Sequence, residues 1–100
     1  MEYQINEHDN TLNIHLSGRL TFRDAAAFDD ILHAVRERTV GGVVFDLSSL
    51  EFIDSMGMSL IIRAHDAVAP SGNRLAVQGA GGRVREALER AGFGGLISLE

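Results

Sequence analysis

Hydrophobic and polar positions follow two different periods along the chain. Apolar and polar residues alternate over 11–17, which predicts a strand with one buried face. The turn formers Asp9 and Asn10 precede this segment, so residues 3–8 and 11–17 predict a β-hairpin. Gly18 is expected to end its second strand.

Three later segments carry apolar residues at helical spacing. The first lies near residues 22–38, and Thr21 before it opens a sequence with the spacing of a capping box. The second runs from Asp54–Ser55 to about Val68, and the third ends at Gly92. The pattern therefore predicts three helices.

Strands are predicted between and after these helices. Residues 42–47 form a nearly continuous apolar run, typical of a strand buried on both faces, and Ser48–Ser49 are expected to form a loop. Residues 74–78 predict a short strand, and residues 96–99 an edge strand. The order ββαβαβαβ predicts one α/β domain over residues 1–100, with a mixed, mostly parallel sheet of about five strands and three helices.

The apolar faces of these elements predict which side chains form the core. Six side chains are expected to be buried together between the sheet and the helices: Phe45, Leu47, Leu60, Ile61, Val77 and Leu88. Two methionines flank Gly57 at the start of the second helix. We expect Met56 to be the more exposed of the two and Met58 to pack, because methionine adapts equally to core gaps and to binding surfaces.

The most particular position is the turn at Asp54–Ser55, where a strand pattern changes directly into a helix pattern. Both residues are good N-cap types, and capping alone is one sufficient explanation for them. The free amide groups and the dipole of a helix start also favour negative charge. A phosphate on Ser55 would add roughly −1.5 to −2 charge, so modification there would change a small surface sharply.

Composition limits the classes of function. Nine basic and fourteen acidic residues give a net charge of −5, which argues against a nucleic-acid partner held through its phosphates. There are no cysteines, so disulfides and thiol chemistry are excluded. No apolar run has the length of a membrane span or the form of a signal peptide. We therefore expect a cytoplasmic protein with no membrane partner.

Enzymatic chemistry has little support in the sequence. A nucleophilic Ser55 needs a base within hydrogen-bond reach, and His65 lies about 15 Å further along the same helix. His8, His15 and His33 are not excluded by sequence, although His15 lies on the polar side of its strand. The Gly-x-Ser-x-Gly motif is absent. No histidine or carboxylate spacing suggests a metal, and we expect no catalytic residue and no cofactor.

A glycine-rich segment, Gly79–Gly82, lies between a strand and a helix, where phosphate-binding loops occur. It has neither the Gly-x-Gly-x-x-Gly spacing nor the lysine and hydroxyl of a P-loop. A connecting loop is the simpler interpretation.

The segment Val44–Met58 resembles the signature of the STAS domain, in particular that of the bacterial anti-sigma factor antagonists. The shared pattern is an apolar strand, a leucine-bounded polar segment, an aromatic-apolar pair and then Asp-Ser-x-Gly. Leu16–Leu20 resembles the early Gly-x-Leu turn of that family, and Ala91–Phe93 its late helix end. Two positions depart from the pattern, because Thr21 stands where the antagonists usually carry an aspartate and Met58 replaces a leucine.

The resemblance implies a protein-binding switch. Its serine maps onto Ser55, which a partner anti-sigma factor with serine kinase activity of the GHKL type would phosphorylate and a phosphatase would restore. Unmodified chain would bind the anti-sigma factor, phosphorylated chain would release it, and transcription would change without direct contact to nucleic acid. The implied partner surface comprises Thr21, Asp54, Ser55, Met56, Gly57 and Ser59. The alternative is a STAS subunit or module that makes a fixed contact in a transporter or stress-sensing assembly.

Overall fold

The computed structural model describes residues 1–38 and 41–100 of the chain. Strands and helices follow one another in the predicted order ββαβαβαβ, which is confirmed. The elements are β1 (Glu2–His8), β2 (Thr11–Leu20), α1 (Ala25–Arg38), β3 (Gly42–Ile53), α2 (Ser55–Val68), β4 (Arg74–Gln78), α3 (Gly82–Arg90) and β5 (Ser98–Leu99), with short 3₁₀ turns at Phe22–Asp24, Ala69–Ser71 and Phe93–Gly95.

The five strands form one sheet in the order β1-β2-β3-β4-β5. β1 and β2 are antiparallel, and every other neighbouring pair is parallel. The hairpin turns at Asp9 and Asn10, which adopt left-handed φ angles of 51° and 64° that these two residue types tolerate. Each helical crossover adds its strand on the same side, so right-handed connections place α1, α2 and α3 on one face of the sheet.

The core lies on that face. The register aligns Ile14, Phe45 and Val77 across three adjacent strands, and all three are fully buried. Phe28 from α1 stacks on Phe45 with ring centroids 5.9 Å apart and planes 9° apart. All six side chains predicted for the core are buried to within 1% of full burial.

The opposite face of the sheet is polar and partly open. His15, Asp46 and Gln78 occupy one row across β2, β3 and β4 and are half-buried or exposed. Val44 is half-buried as well. The prediction that residues 42–47 are buried on both faces is therefore wrong, because the helices cover only one face.

Two strands extend further than the sequence pattern predicts. Gly18 lies within β2, at a φ of 83°, and the expected loop at Ser48–Ser49 lies within β3. The register shifts twice, between His15 and Ser17 and again between Gly18 and Arg19. These bulges accommodate extra residues of β3. The pairing of β2 with β3 therefore continues beyond Ser48 and Ser49, although their sequence is typical of a loop.

Smaller differences occur at element ends. The predicted helix at 22–38 begins with a 3₁₀ turn, and α1 itself starts at Ala25. The last strand contains only Ser98 and Leu99, because the backbone N–H groups of Leu96 and Ile97 donate to the Phe93 carbonyl in the preceding turn. The third helix ends near Gly92 as predicted, with that glycine at a φ of 74°.

Candidate functional site

Asp54 joins three elements at the carboxyl ends of β2 and β3. It is the N-cap of α2, and its Oδ1 accepts a hydrogen bond of 2.7 Å from the Gly57 backbone N–H. Its Oδ2 accepts from the Phe22 N–H at 3.2 Å, and its own N–H donates to the Leu20 carbonyl at 3.2 Å. One carboxylate therefore fixes the start of α2 against the end of β2 and the turn before α1.

Ser55 is the first residue of α2 and is exposed. Its backbone carbonyl accepts a hydrogen bond from the Ser59 hydroxyl at 3.1 Å. Within residues 1–38 and 41–100, its own hydroxyl has no hydrogen-bond partner. Because Asp54 caps the helix, the fold does not depend on a hydrogen bond from the Ser55 hydroxyl, which is accessible to a second protein.

The residues after Ser55 divide between surface and interior. Met56 is 41% exposed, whereas Met58 packs against the core, as predicted. Gly57 is buried, and a Cβ atom added to it would lie 2.4 Å from the Leu20 carbonyl oxygen. Gly57 therefore allows the close approach of α2 to β2, and any contribution to a partner surface is indirect.

Thr21 lies beside this helix start in the predicted capping box, which is present. The Thr21 N–H donates to Asp24 Oδ2 at 2.8 Å, and its hydroxyl accepts from the Arg23 N–H at 3.3 Å. Burial alone would raise the pKa of Asp24, but hydrogen bonds from Thr21 and the Met1 ammonium group outweigh it and lower the pKa. Thr21 is thus engaged in holding the turn.

Sequence reasoning missed an arginine–aromatic rim beside Asp54, formed by Arg19, Phe22, Arg23 and Phe52. Phe22 is 63% exposed, the largest exposure among the large apolar side chains of the described residues. The Arg19 guanidinium lies 4.3 Å from the centroid of the Phe52 ring, and that of Arg23 lies 5.7 Å from the Phe22 ring. A signal was present in the sequence, since Phe22 stands apart from the apolar face that later forms the buried side of α1.

The candidate bases for a nucleophilic serine are far from Ser55. His15 lies beside Asp46, with its Nδ1 3.1 Å from Asp46 Oδ2. Asp46 precedes Asp54 by eight residues, which is about 20 Å or more along β3, so His15 is equally far from the Ser55 end of the strand. His8 pairs with Thr11 at the opposite end of the sheet. Phe22 adjoins Asp54 through its N–H, and His33 follows Phe22 by eleven residues, so it lies about 16 Å further along the helix.

The described residues contain neither a candidate metal site nor a helix able to cross a membrane. No group of three or more histidine or acidic side chains in 1–38 and 41–100 is arranged to hold a metal ion. None of the helices in the same ranges combines the length and apolar character needed to cross a membrane.

Comparison with known sequences decides the family. The sequence model described as "Mlab, STAS domain" matches residues 3–98, nearly the whole chain. The chain belongs to the STAS domain family. No curated protein matches the sequence.

Solved structures share the STAS fold with the chain at low sequence identity. An anti-sigma factor antagonist from Mycobacterium paratuberculosis has a TM-score of 0.86 at 21% identity, covering 98% of this chain and 83% of its own. The Bacillus cell fate determinant SpoIIAA in its phosphorylated form has a TM-score of 0.74 at 19% identity, covering 99% and 91%. A sulfate transporter family protein from Wolinella succinogenes also has a TM-score of 0.74, at 22% identity, covering 88% and 71%. At these identities the likeness establishes the fold.

Proposed function

We propose that the chain is an anti-sigma factor antagonist that acts as a phosphorylation-controlled binding switch. Unmodified Ser55 permits binding of an anti-sigma factor with serine kinase activity, and phosphorylated Ser55 releases it. The observation that carries the proposal is the accessible Ser55 hydroxyl, which makes no hydrogen bond within the described residues and adjoins a cap that functions without it.

The geometry favours a switch that leaves the fold intact. Asp54 already occupies the Gly57 N–H, so a phosphate on Ser55 displaces no structural bond. The helix start stabilises added negative charge by about 0.3 to 1 kcal/mol at an exposed site. The free protein therefore tolerates the modification.

The complex responds in the opposite direction. Transfer of the neutral Ser55 hydroxyl and the exposed Met56 side chain from water into an interface has a small desolvation cost. A phosphate carries roughly −1.5 to −2 charge. Burying it against a partner without a matching cation costs several times the free energy by which the helix dipole stabilises it. Partner release follows from this difference between the free and bound states.

The test of the modification is phosphotransfer with the cognate anti-sigma factor and ATP, read by intact mass and fragment mass spectrometry. We expect one phosphoryl group, located on Ser55, in unmodified chain and none in Ser55→Ala. Ser49→Ala is the matched control, because Ser49 is an exposed serine on β3, outside the implied partner surface, and its loss should leave the reaction unchanged. Modification at another residue, with Ser55 unmodified, would contradict the proposal.

A second candidate is a fixed contact within a transporter or stress-sensing assembly. The fold shared with a sulfate transporter family protein favours it. In that case the same surface binds a neighbouring subunit permanently. Ser55 would then remain unmodified by any kinase, and the charge at this position would not control assembly.

A further inference from the structure

We propose that the arginine–aromatic rim of Arg19, Phe22, Arg23 and Phe52 is a specificity surface that selects a partner presenting carboxylate side chains around an apolar residue. The inference rests on the proposed function only in taking the Ser55 end of α2 as the partner side. It adds the chemistry of the partner, which a serine at a helix start does not define.

The two guanidinium groups are held ready for an anion. Each lies over an aromatic ring, at 4.3 Å for Arg19 on Phe52 and 5.7 Å for Arg23 on Phe22. Stacking limits the conformations of a long side chain, so less freedom is lost on binding. Arginine also presents a planar set of donors that matches a carboxylate.

Neither guanidinium is neutralised by another described residue. No ion pair joins Arg19 or Arg23 to a carboxylate of residues 1–38 and 41–100, whereas Arg38 and Arg85 lie near Glu7 and Glu89. Both arginines are exposed, although the whole chain carries a net charge of −5. The rim thus presents two guanidinium groups that no carboxylate of the described residues pairs with.

Two carboxylates beside the rim, Asp24 and Asp54, are committed to internal donors, whereas the exposed Glu51, next to Phe52 in sequence, forms no ion pair with either arginine within residues 1–38 and 41–100. Both oxygens of Asp54 accept backbone N–H groups, those of Gly57 and Phe22. Asp24 accepts from the Thr21 N–H through Oδ2 and from the Met1 ammonium group through Oδ1. These carboxylates cannot turn to the arginines without losing the caps of two helices.

Apolar surface lies within the same patch. Phe22 is 63% exposed, and its N–H is bonded to the carboxylate of the residue before Ser55. Arginine and exposed aromatic side chains are the types enriched where interfaces concentrate binding energy. A partner segment with one apolar side chain for Phe22 and flanking carboxylates for Arg19 and Arg23 satisfies the whole rim.

The charge of the rim also implies which partners it rejects. The turn before α1 offers an uncharged Thr21 with Arg23 two residues later. Opposite charge selects partners and like charge rejects them, so the rim would exclude a partner that presents lysine or arginine at this place.

The test uses three synthetic peptides of equal length that share their leucine residues and carry glutamate, glutamine or lysine at the remaining variable positions. Titration into the ¹⁵N-labelled chain should shift the amide signals of the four rim residues with the glutamate peptide. We expect its affinity to exceed that of the glutamine peptide by at least about fivefold and to fall as salt is raised. The lysine peptide should leave the rim unshifted.

Variants make the assignment specific. Arg19→Gln with Arg23→Gln should abolish the preference for glutamate, and Phe22→Ala should weaken all binding at the rim. Arg83→Gln is the matched control, because Arg83 is an exposed arginine on α3, outside the rim. Unchanged urea midpoints confirm that the variants fold, which is expected for exposed side chains.

Several results would overturn the inference. These are equal affinity for the glutamate and lysine peptides, shifts confined to other surfaces, an unaffected double arginine variant, or equal rim shifts with inorganic phosphate alone. Phosphotransfer to Ser55 is scored separately. If Ser55 is phosphorylated but the glutamate peptide fails, the rim assignment falls and the switch stands; the reverse result removes the switch and leaves an acid-selective fixed contact.

Discussion

Replacement of Gly57 by alanine tests how the site is built, because two effects oppose each other there. Alanine is favoured over glycine inside a helix by about 1 kcal/mol, so helix propensity alone predicts that Gly57→Ala stabilises the chain. The structure predicts the opposite. The added Cβ would lie 2.4 Å from the Leu20 carbonyl oxygen and 2.9 Å from an Ile53 side-chain atom.

The contact cannot be relieved by a side-chain rotation, because the nearest atom belongs to the backbone of β2. That same Leu20 carbonyl accepts the Asp54 N–H at 3.2 Å, so moving α2 away also weakens the tie beneath Ser55. Overpacking of this kind costs about 1 to 3 kcal/mol. We expect the clash to exceed the propensity gain and to leave a net loss.

Urea unfolding measures this loss. With a slope of about 1 kcal/mol per M for a small domain, the midpoint of Gly57→Ala should fall by up to about 2 M after the propensity gain of about 1 kcal/mol is subtracted. Ser59→Ala on the same helix is the control, because it removes an exposed hydroxyl and changes propensity only slightly. A Gly57→Ala variant as stable as the unmodified chain would refute the close approach of α2 to β2.

Two further predictions concern the core and the polar face of the sheet. Phe45→Ala should cost about 3 to 5 kcal/mol of unfolding free energy, because Phe45 is fully buried and stacked on Phe28; a loss below about 1 kcal/mol in urea unfolding would contradict the core assignment. Burial alone would raise the pKa of Asp46, but hydrogen bonds from Ser48 and His15 outweigh it and lower the pKa. The stability this provides is present above the ordinary carboxyl pKa of about 3.9 and is lost as the pH falls through the folded-state value. When the pH is lowered from about 6 to about 2, Asp46→Asn should therefore lose less unfolding free energy than the unmodified chain, as measured by urea unfolding. An identical pH dependence of the two proteins would contradict the hydrogen-bonded carboxylate.

Much of the fold could be predicted from sequence because its signals are local. The alternation in β2, the helical spacing of α2 and the capping box at Thr21 each depend on neighbouring residues. Periodicity of this kind directly reports which side chains face the core. The buried set and the contrast between Met56 and Met58 followed from it.

The errors occurred where distant strands decide the outcome. Ser48 and Ser49 resemble a loop in sequence, but Ser49 pairs with Ser17 of β2 and the pairing continues to Ile53, so both serines lie within β3. Tertiary pairing overrides local preference in such segments. The second face of residues 42–47 was misjudged for a related reason, since an apolar Val44 does not reveal whether a helix will cover it.

The site was foreseen in part. Asp54 and Ser55 were correctly placed at a helix start, but sequence could not show that Asp54 alone performs the capping and frees the serine hydroxyl. The arginine–aromatic rim escaped because its members come from two strands and a turn. Arg19 and Phe52 are 33 positions apart in the chain and meet only through the shifted register of β2 and β3.

Binding of the cognate anti-sigma factor to charge variants of Ser55, measured by isothermal titration calorimetry, tests the central claim most directly. Ser55→Ala should bind as the unmodified chain does, and Ser55→Asp should fold normally but bind at least about tenfold more weakly, a penalty of about 1.4 kcal/mol or more. Ser49→Asp is the control, since it adds the same charge at an exposed position on β3 and should leave the affinity unchanged. Equal affinity of Ser55→Asp and unmodified chain would contradict the switch and favour the fixed contact.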